Sequence, residues 1–116
     1  MEKLSTVIHQ EYVVVKEKDV LEVLSTIHDP EIPLDIVNLG LIEKIHIANQ
    51  DITITMTLTT PNCPLRNLIE NMIESKLKEK FPQSNITINL VFDRPWNTDR
   101  ISRQGKEKLK ALGWNL

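Results

Sequence analysis

The sequence predicts a small two-layer α+β domain with the element order α-β-β-α-β-α. Three observations carry that prediction. The chain has 116 residues, enough for one hydrophobic core, because chains usually divide into domains only at well over twice this length. Two segments, 52–59 and 86–92, alternate apolar and polar residues with period two, and a strong helical stripe lies between them. Strands that are polar on one face must bury the other against helices, which gives two layers.

Residues 1–17 show no clear period and read as an N-terminal extension ahead of a domain at 18–116, although Tyr12-Val13-Val14-Val15 has the composition of an edge strand or a packed segment. The first helix is expected over about 19–28, where Val20, Val23, Leu24 and Ile27 recur at helical spacing and Leu21 widens the stripe. Asp19 followed by Glu22 has the spacing of a capping box. Pro30 disfavours helical backbone at Asp29 and ends the element. A rigid two-proline loop, Asp29-Pro30-Glu31-Ile32-Pro33, then leads to Asn38-Leu39-Gly40.

Residues 41–48 read as a strand with Ile45 and Ile47 inward, and the alternation fails at Ile42-Glu43. Asn49-Gln50-Asp51 supplies a turn. Ile52, Ile54, Met56 and Leu58 then alternate with four threonines, completing a hairpin. Thr59-Thr60-Pro61-Asn62-Cys63-Pro64 opens the second helix, with Pro64 at its first position, where a missing N–H removes nothing. Leu65, Leu68, Ile69, Met72, Ile73 and Leu77 form its stripe, and Phe81-Pro82 ends it. Ile86, Ile88, Leu90 and Phe92 make one face of a third strand. Ser102 is placed to cap a last helix carrying Leu109 and Leu112, with Gly113 at the position after its C-cap.

Composition excludes several functions. Fourteen basic and sixteen acidic residues give a net charge of −2 and the pI is near 5.9, which argues against a general nucleic-acid binder. The charge is uneven: −6 over residues 1–51, +1 over 52–92 and +3 over 93–116. Helix-surface solvation explains most of that asymmetry, though an acidic front and a basic tail can also mark partner faces. No apolar run approaches the length of a membrane span, and the opening Met-Glu-Lys is unlike a signal peptide, so a cytoplasmic protein is expected.

A single cysteine excludes an internal disulfide framework and any self-contained four-cysteine site. Cys63 is left as buried filler, a reactive thiol, or one ligand of a shared site. If Pro64 is the first helical residue, Cys63 is the N-cap. Its sulfur then faces unpaired amides and the positive end of the helix dipole, with Arg66 nearby, and these favour thiolate over thiol. Asp29 and Glu31 are two apart in an extended loop, so their carboxylates point apart, and an Asx-type turn at Asp29 is the simpler reading. Trp96 is either an anchor sealing the core or a partner contact, and a seal is favoured. The histidines at 9, 28 and 46 lack metal-ligand spacing. No serine triad, phosphate loop or paired catalytic carboxylates are found, so no enzymatic activity is expected.

The phrase Asp29-Pro30-Glu31-Ile32-Pro33-Leu34-Asp35-Ile36-Val37-Asn38-Leu39-Gly40-Leu41-Ile42 resembles the opening signature of the SufT/PaaD-type iron–sulfur cluster assembly domains. Thr57-Leu58-Thr59-Thr60-Pro61-Asn62-Cys63-Pro64 is similar to that family's cysteine loop, and Pro95-Trp96, Ile101-Ser102 and Lys108-Leu109 with Gly113 resemble the tail of its stand-alone members. The resemblance covers about residues 18–113. Asn62 stands where the family often has glycine, and asparagine tolerates the left-handed backbone such a turn requires.

That resemblance implies the iron–sulfur cluster assembly domain fold and a role in maturing iron–sulfur proteins, as a carrier or as a targeting factor. It places Cys63 at the family's functional cysteine, with Asp29, Glu31, Asn38 and Thr60 bordering the same site. Cys63 is then a transient cluster ligand. No cofactor is held permanently, and the cluster is shared with a second subunit or a partner. The implied partners are scaffold or recipient apoproteins and a possible homodimer, with no nucleic acid and no membrane. The alternative is an interaction adaptor, in an assembly or oxygenase complex, that never binds a cluster. An enzyme using Cys63 as nucleophile would be a third reading, but it lacks a visible base or resolving cysteine.

Overall fold

The computed structural model describes residues 14–116. Residues 1–13, including His9 and Tyr12-Val13 of the strand-like Tyr12–Val15 run, lie outside the described residues. The elements are α1 (Glu17–Leu24), β1 (Ile42–Ala48), β2 (Asp51–Met56), α2 (Arg66–Lys80), β3 (Ile86–Leu90), a 3₁₀ turn (Thr98–Arg100) and α3 (Arg103–Ala111). This is the expected α-β-β-α-β-α order in a two-layer α+β fold.

β1 and β2 form an antiparallel hairpin joined through Asn49-Gln50, with Asn49 in the left-handed region at φ 57°. The register slips between Ile42 and Lys44, where the sequence alternation fails, so Glu43 sits at a bulge. β3 pairs with β2 in parallel, giving the sheet order β1-β2-β3. A parallel pair needs a crossover, and α2 supplies it. Ile52, Ile54 and Met56 point from the central strand into a core completed by Val20 and Leu24 of α1 and Ile69, Ile73 and Leu77 of α2. The threonines between them face outward.

Several boundaries differ from the sequence expectation. α1 starts at Glu17, so the expected division between residues 17 and 18 falls inside its first turn, and Val15 is already buried in the core. The Asp19–Glu22 capping box does not form: the N-cap is Lys16, without a side-chain bond. The helix stops at Leu24 rather than near His28. The next amides bond three residues back, Thr26 to Val23 and Ile27 to Leu24, which tightens the last turn into 3₁₀ geometry. β2 ends at Met56, and the chain then leaves the sheet with Thr57 and Leu58 both buried.

α3 has the expected cap. Ser102 Oγ accepts from the Gly105 amide at 2.9 Å. The Gly113 amide donates to Lys110 and the Trp114 amide to Leu109, a Schellman closure with Gly113 at φ 99°. Leu112, expected on the buried face with Leu109, is 62% exposed because this closure turns the chain away from the body. Gly105 lets α3 approach the loop after α1: a Cβ there would sit 2.7 Å from Leu34 Cδ2.

Candidate functional site

The crossover fixes the cysteine loop. Chain leaving the carboxyl end of β2 must reach the start of α2, and residues 57–65 make that passage. The Thr57 amide donates to the Leu41 carbonyl at 2.9 Å, the Asn62 amide to Thr60 Oγ1 at 3.4 Å, and the Arg66 amide to the Cys63 carbonyl at 3.3 Å. Pro61 and Pro64 flank the thiol on the exposed side. Cys63 itself is only 8% exposed.

Cys63 is not the helix N-cap. That position belongs to Leu65, with no side-chain cap bond, and α2 begins at Arg66 rather than Pro64. Arg66 turns to Glu70, at 3.4 Å on the helix surface. The helix-terminus argument for an activated thiolate therefore does not apply. Cys63 Sγ instead faces Glu31 Oε1 in a long thiol–carboxylate contact of 4.0 Å.

Glu31 reaches this point because Asp29 shapes its loop. The buried Asp29 carboxylate accepts from the amides of Glu31 and Ile32, both at 2.8 Å, and the Asp29 amide donates to the Leu34 carbonyl. A bridge between His28 and Asp35 closes the loop base, and the Ile36 amide donates to Ile27. Asp29 is thus turned inward as an Asx-type turn while Glu31 projects outward toward the thiol.

Asn38 is held elsewhere. Its amide and Nδ2 both donate to Asp35, at 3.0 and 2.7 Å, and its Oδ1 accepts from the Ser102 hydroxyl. The Ser102 amide returns to the Asn38 carbonyl at 2.8 Å. Asn38 therefore fastens the acidic segment to the start of α3, and no direct bond from it to Cys63 is seen among the described residues. Trp96 reinforces the fastening: Nε1 donates to the Leu39 carbonyl at 2.7 Å while the ring packs against the core. A Cβ on Gly40, at φ 79°, would strike the Arg100 carbonyl.

Two contributors were missed from sequence. Asp35 is buried and accepts from both the amide and Nδ2 of Asn38; the Asp35-x-x-Asn38 spacing is the signal that could have found it. Glu43, 11% exposed at its side chain, sits between Arg94 at 3.1 Å and Arg100 at 3.5 Å. It was visible only as an acid at the broken point of the strand.

The chemistry available is one soft donor beside one carboxylate. Among the described residues no group of three or more His, Cys, Asp or Glu is placed to hold a metal ion. His28 serves the loop base and His46 lies on the exposed sheet face. No helix among the described residues is long and apolar enough to cross a membrane.

Residues 17–90 match the family model described as an iron–sulfur cluster assembly protein. The chain is 36% identical over 97 residues to an Fe-S protein maturation auxiliary factor of Porphyromonas gingivalis, covering 83% of this chain and 92% of that one. It is 37% identical over 79 residues to the Fe-S protein maturation auxiliary factor SufT of Staphylococcus aureus, covering 67% and 90%. Its fold is similar to a crystal structure of a domain of unknown function from Bacillus anthracis, with TM-score 0.77, 34% identity, and coverage of 81% and 91%.

Proposed function

The chain belongs to the iron–sulfur cluster assembly protein family, and from that premise we propose that it handles its cargo through Cys63. Its function is the maturation of iron–sulfur proteins. In this reading it is not an enzyme but a carrier or targeting factor, and the cluster is substrate rather than resident cofactor.

The observation that carries the assignment is the Cys63–Glu31 contact at the mouth of the crossover loop. Sulfur and carboxylate oxygen are both metal ligands, so the pair sets one soft and one hard donor side by side at the same place. Iron–sulfur clusters are held by several thiolates, and this chain offers one, so the remaining ligands must come from a scaffold, a recipient or a second copy. Such incomplete ownership suits a donor, because complete ligation by one chain would oppose release.

The burial of Cys63 supports a second reading, in which the protein is an adaptor that brings recipients to a scaffold and never ligates the cluster. A transfer experiment separates the two. A loaded scaffold is mixed anaerobically with an apo recipient, and holo-recipient formation is followed by circular dichroism with wild type, Cys63→Ser or no added protein. The carrier reading expects acceleration by wild type that Cys63→Ser loses. Equal acceleration by both forms assigns the protein to the adaptor role, and no acceleration by either overturns both readings.

A further inference from the structure

The two edges of the sheet are built differently. β1 is interrupted by the register slip between Ile42 and Lys44 and carries the charges of Glu43 and Lys44. A slip and charged side chains are devices that keep an edge strand from pairing with other chains. β3 has neither: Ile86-Thr87-Ile88-Asn89-Leu90 holds no charge and no proline, and its register with β2 is unbroken. The Ile52 amide donates to the Asn85 carbonyl and the Val91 amide to the Met56 carbonyl. Successive residues of a strand turn their backbone groups to alternate sides, so Thr87 and Asn89 also face β2. The amides and carbonyls of Ile86, Ile88 and Leu90 then face away from the sheet, where no strand pairs with them among the described residues.

Alongside this edge, α2 supplies the second wall of a groove. Asn67, Glu70, Asn71 and Glu74 face the half-buried Ile88 across about 300 Å³. Glu70 is shared with Arg66 at 3.4 Å, while Glu74 forms no ion pair among the described residues. A free strand edge beside a helix is a setting in which an extended peptide adds to a sheet. Its backbone bonds to the strand, and every second side chain is read by the groove. Here those side chains lean toward α2. Two carboxylates above the apolar surface of Ile88 suit a long aliphatic stem that ends in a cation. The residues between them stand beside the exposed Thr87 and Asn89, where β-branched polar side chains fit.

We propose that the β3 edge and the facing side of α2 bind an extended segment of a partner protein, as an added strand with lysine or arginine at every second position. The partner is basic because both ionisable side chains lining the groove are acids and nothing cationic lines it. Asn67 lies in the first turn of α2, directly after the cysteine loop, so one end of the bound segment lies next to that loop. The proposal is independent of how Cys63 handles a cluster.

A synthetic peptide of about eight residues alternating lysine and threonine tests it against the full chain, with a glutamate–threonine peptide as control. Amide NMR titration should show saturable binding of the lysine peptide alone. That binding should weaken about tenfold or more between about 0.1 M and 1 M salt, as the Debye length falls from about 10 Å to about 3 Å. The Ile86, Ile88 and Leu90 amides should exchange fast in the free chain and become protected when the peptide is added, while those of Thr87 and Asn89 are protected throughout. Glu70→Gln with Glu74→Gln should weaken binding about tenfold, and a melting curve establishes that this variant is folded. Absence of saturable binding overturns the proposal, as does equal binding of the glutamate peptide or of the double variant. So does binding that leaves the three amides exchanging as before. Protection of those amides before any peptide is added also overturns it, because residues 1–13 or a second copy would then hold the edge.

Discussion

The thiol of Cys63 meets the carboxylate of Glu31 at 4.0 Å, across a separation of 32 residues in the chain. Two loops of independent origin make that meeting. One is the crossover from β2 to α2; the other is the turn that Asp29 folds after α1. The contact puts a carboxylate beside the only thiol, so Glu31→Gln, which keeps the shape and removes the anionic donor, should lower the iron retained after anaerobic reconstitution while leaving the melting curve unchanged. Iron retention equal to wild type would show that Glu31 is no part of the site, and a lowered Tm would show that it acts by shaping the loop.

Asp29 is structural support for that arrangement. Asp29→Ala strips the partner from the Glu31 and Ile32 amides. Loss of two charge-assisted bonds at a buried carboxylate costs about 2–4 kcal/mol. For a domain of this size, that lowers Tm by about 10 °C or more. Asp29→Asn keeps an acceptor and should recover part of the loss, which thermal unfolding followed by circular dichroism will read.

Asn38 and Ser102 are expected to act as one unit. Each alanine substitution should cost about 1–2 kcal/mol, since Ser102 is also the cap of α3. In a double-mutant cycle by denaturant unfolding, the pair should fall short of additivity by about 0.5–3 kcal/mol. Additive losses would mean that the acidic segment and α3 are fastened by something else.

Two glycines with positive φ should differ sharply. Gly113→Ala meets open space and bears only the left-handed backbone cost of about 1 kcal/mol. Gly40→Ala adds a collision with the Arg100 carbonyl, on backbone tied down by Trp96, and should cost about 3 kcal/mol or more. Equal effects would contradict the tight approach of the 94–101 segment to the turn after Asn38.

Where the sequence was legible, the reason was periodicity or local chemistry. The alternation of Ile52, Ile54 and Met56 with threonines is a backbone period, and it announced the central strand directly. Ser102 and Gly113 marked the two ends of α3 because capping needs only neighbouring residues. The failed alternation at Ile42-Glu43 became a bulge, but nothing local showed that Glu43 would find Arg94 and Arg100 more than fifty residues later. Cys63 was identified, but its surroundings were misjudged: Pro64 is compatible with a first helical position, yet the helix starts at Arg66, and the two extra residues take the sulfur off the helix terminus. The Asp29 turn could be read from its own loop. Its consequence, Glu31 against Cys63, is a tertiary contact and has no local signature. Thr60 and Asn38 were placed at the site by resemblance; in the structure Thr60 supports the cysteine loop, while Asn38 serves the junction with α3.

The central claim is that a cluster is handled through Cys63 and never owned by one chain. Anaerobic reconstitution tests it most directly, with an absorption spectrum, iron and sulfide counts, and native mass determined for wild type and Cys63→Ala. The account predicts cluster absorbance in wild type at no more than one cluster for two chains, associated with a dimer or a supplied thiol partner and absent from Cys63→Ala. A full complement of cluster on a monomer, or Cys63→Ala indistinguishable from wild type, would contradict it.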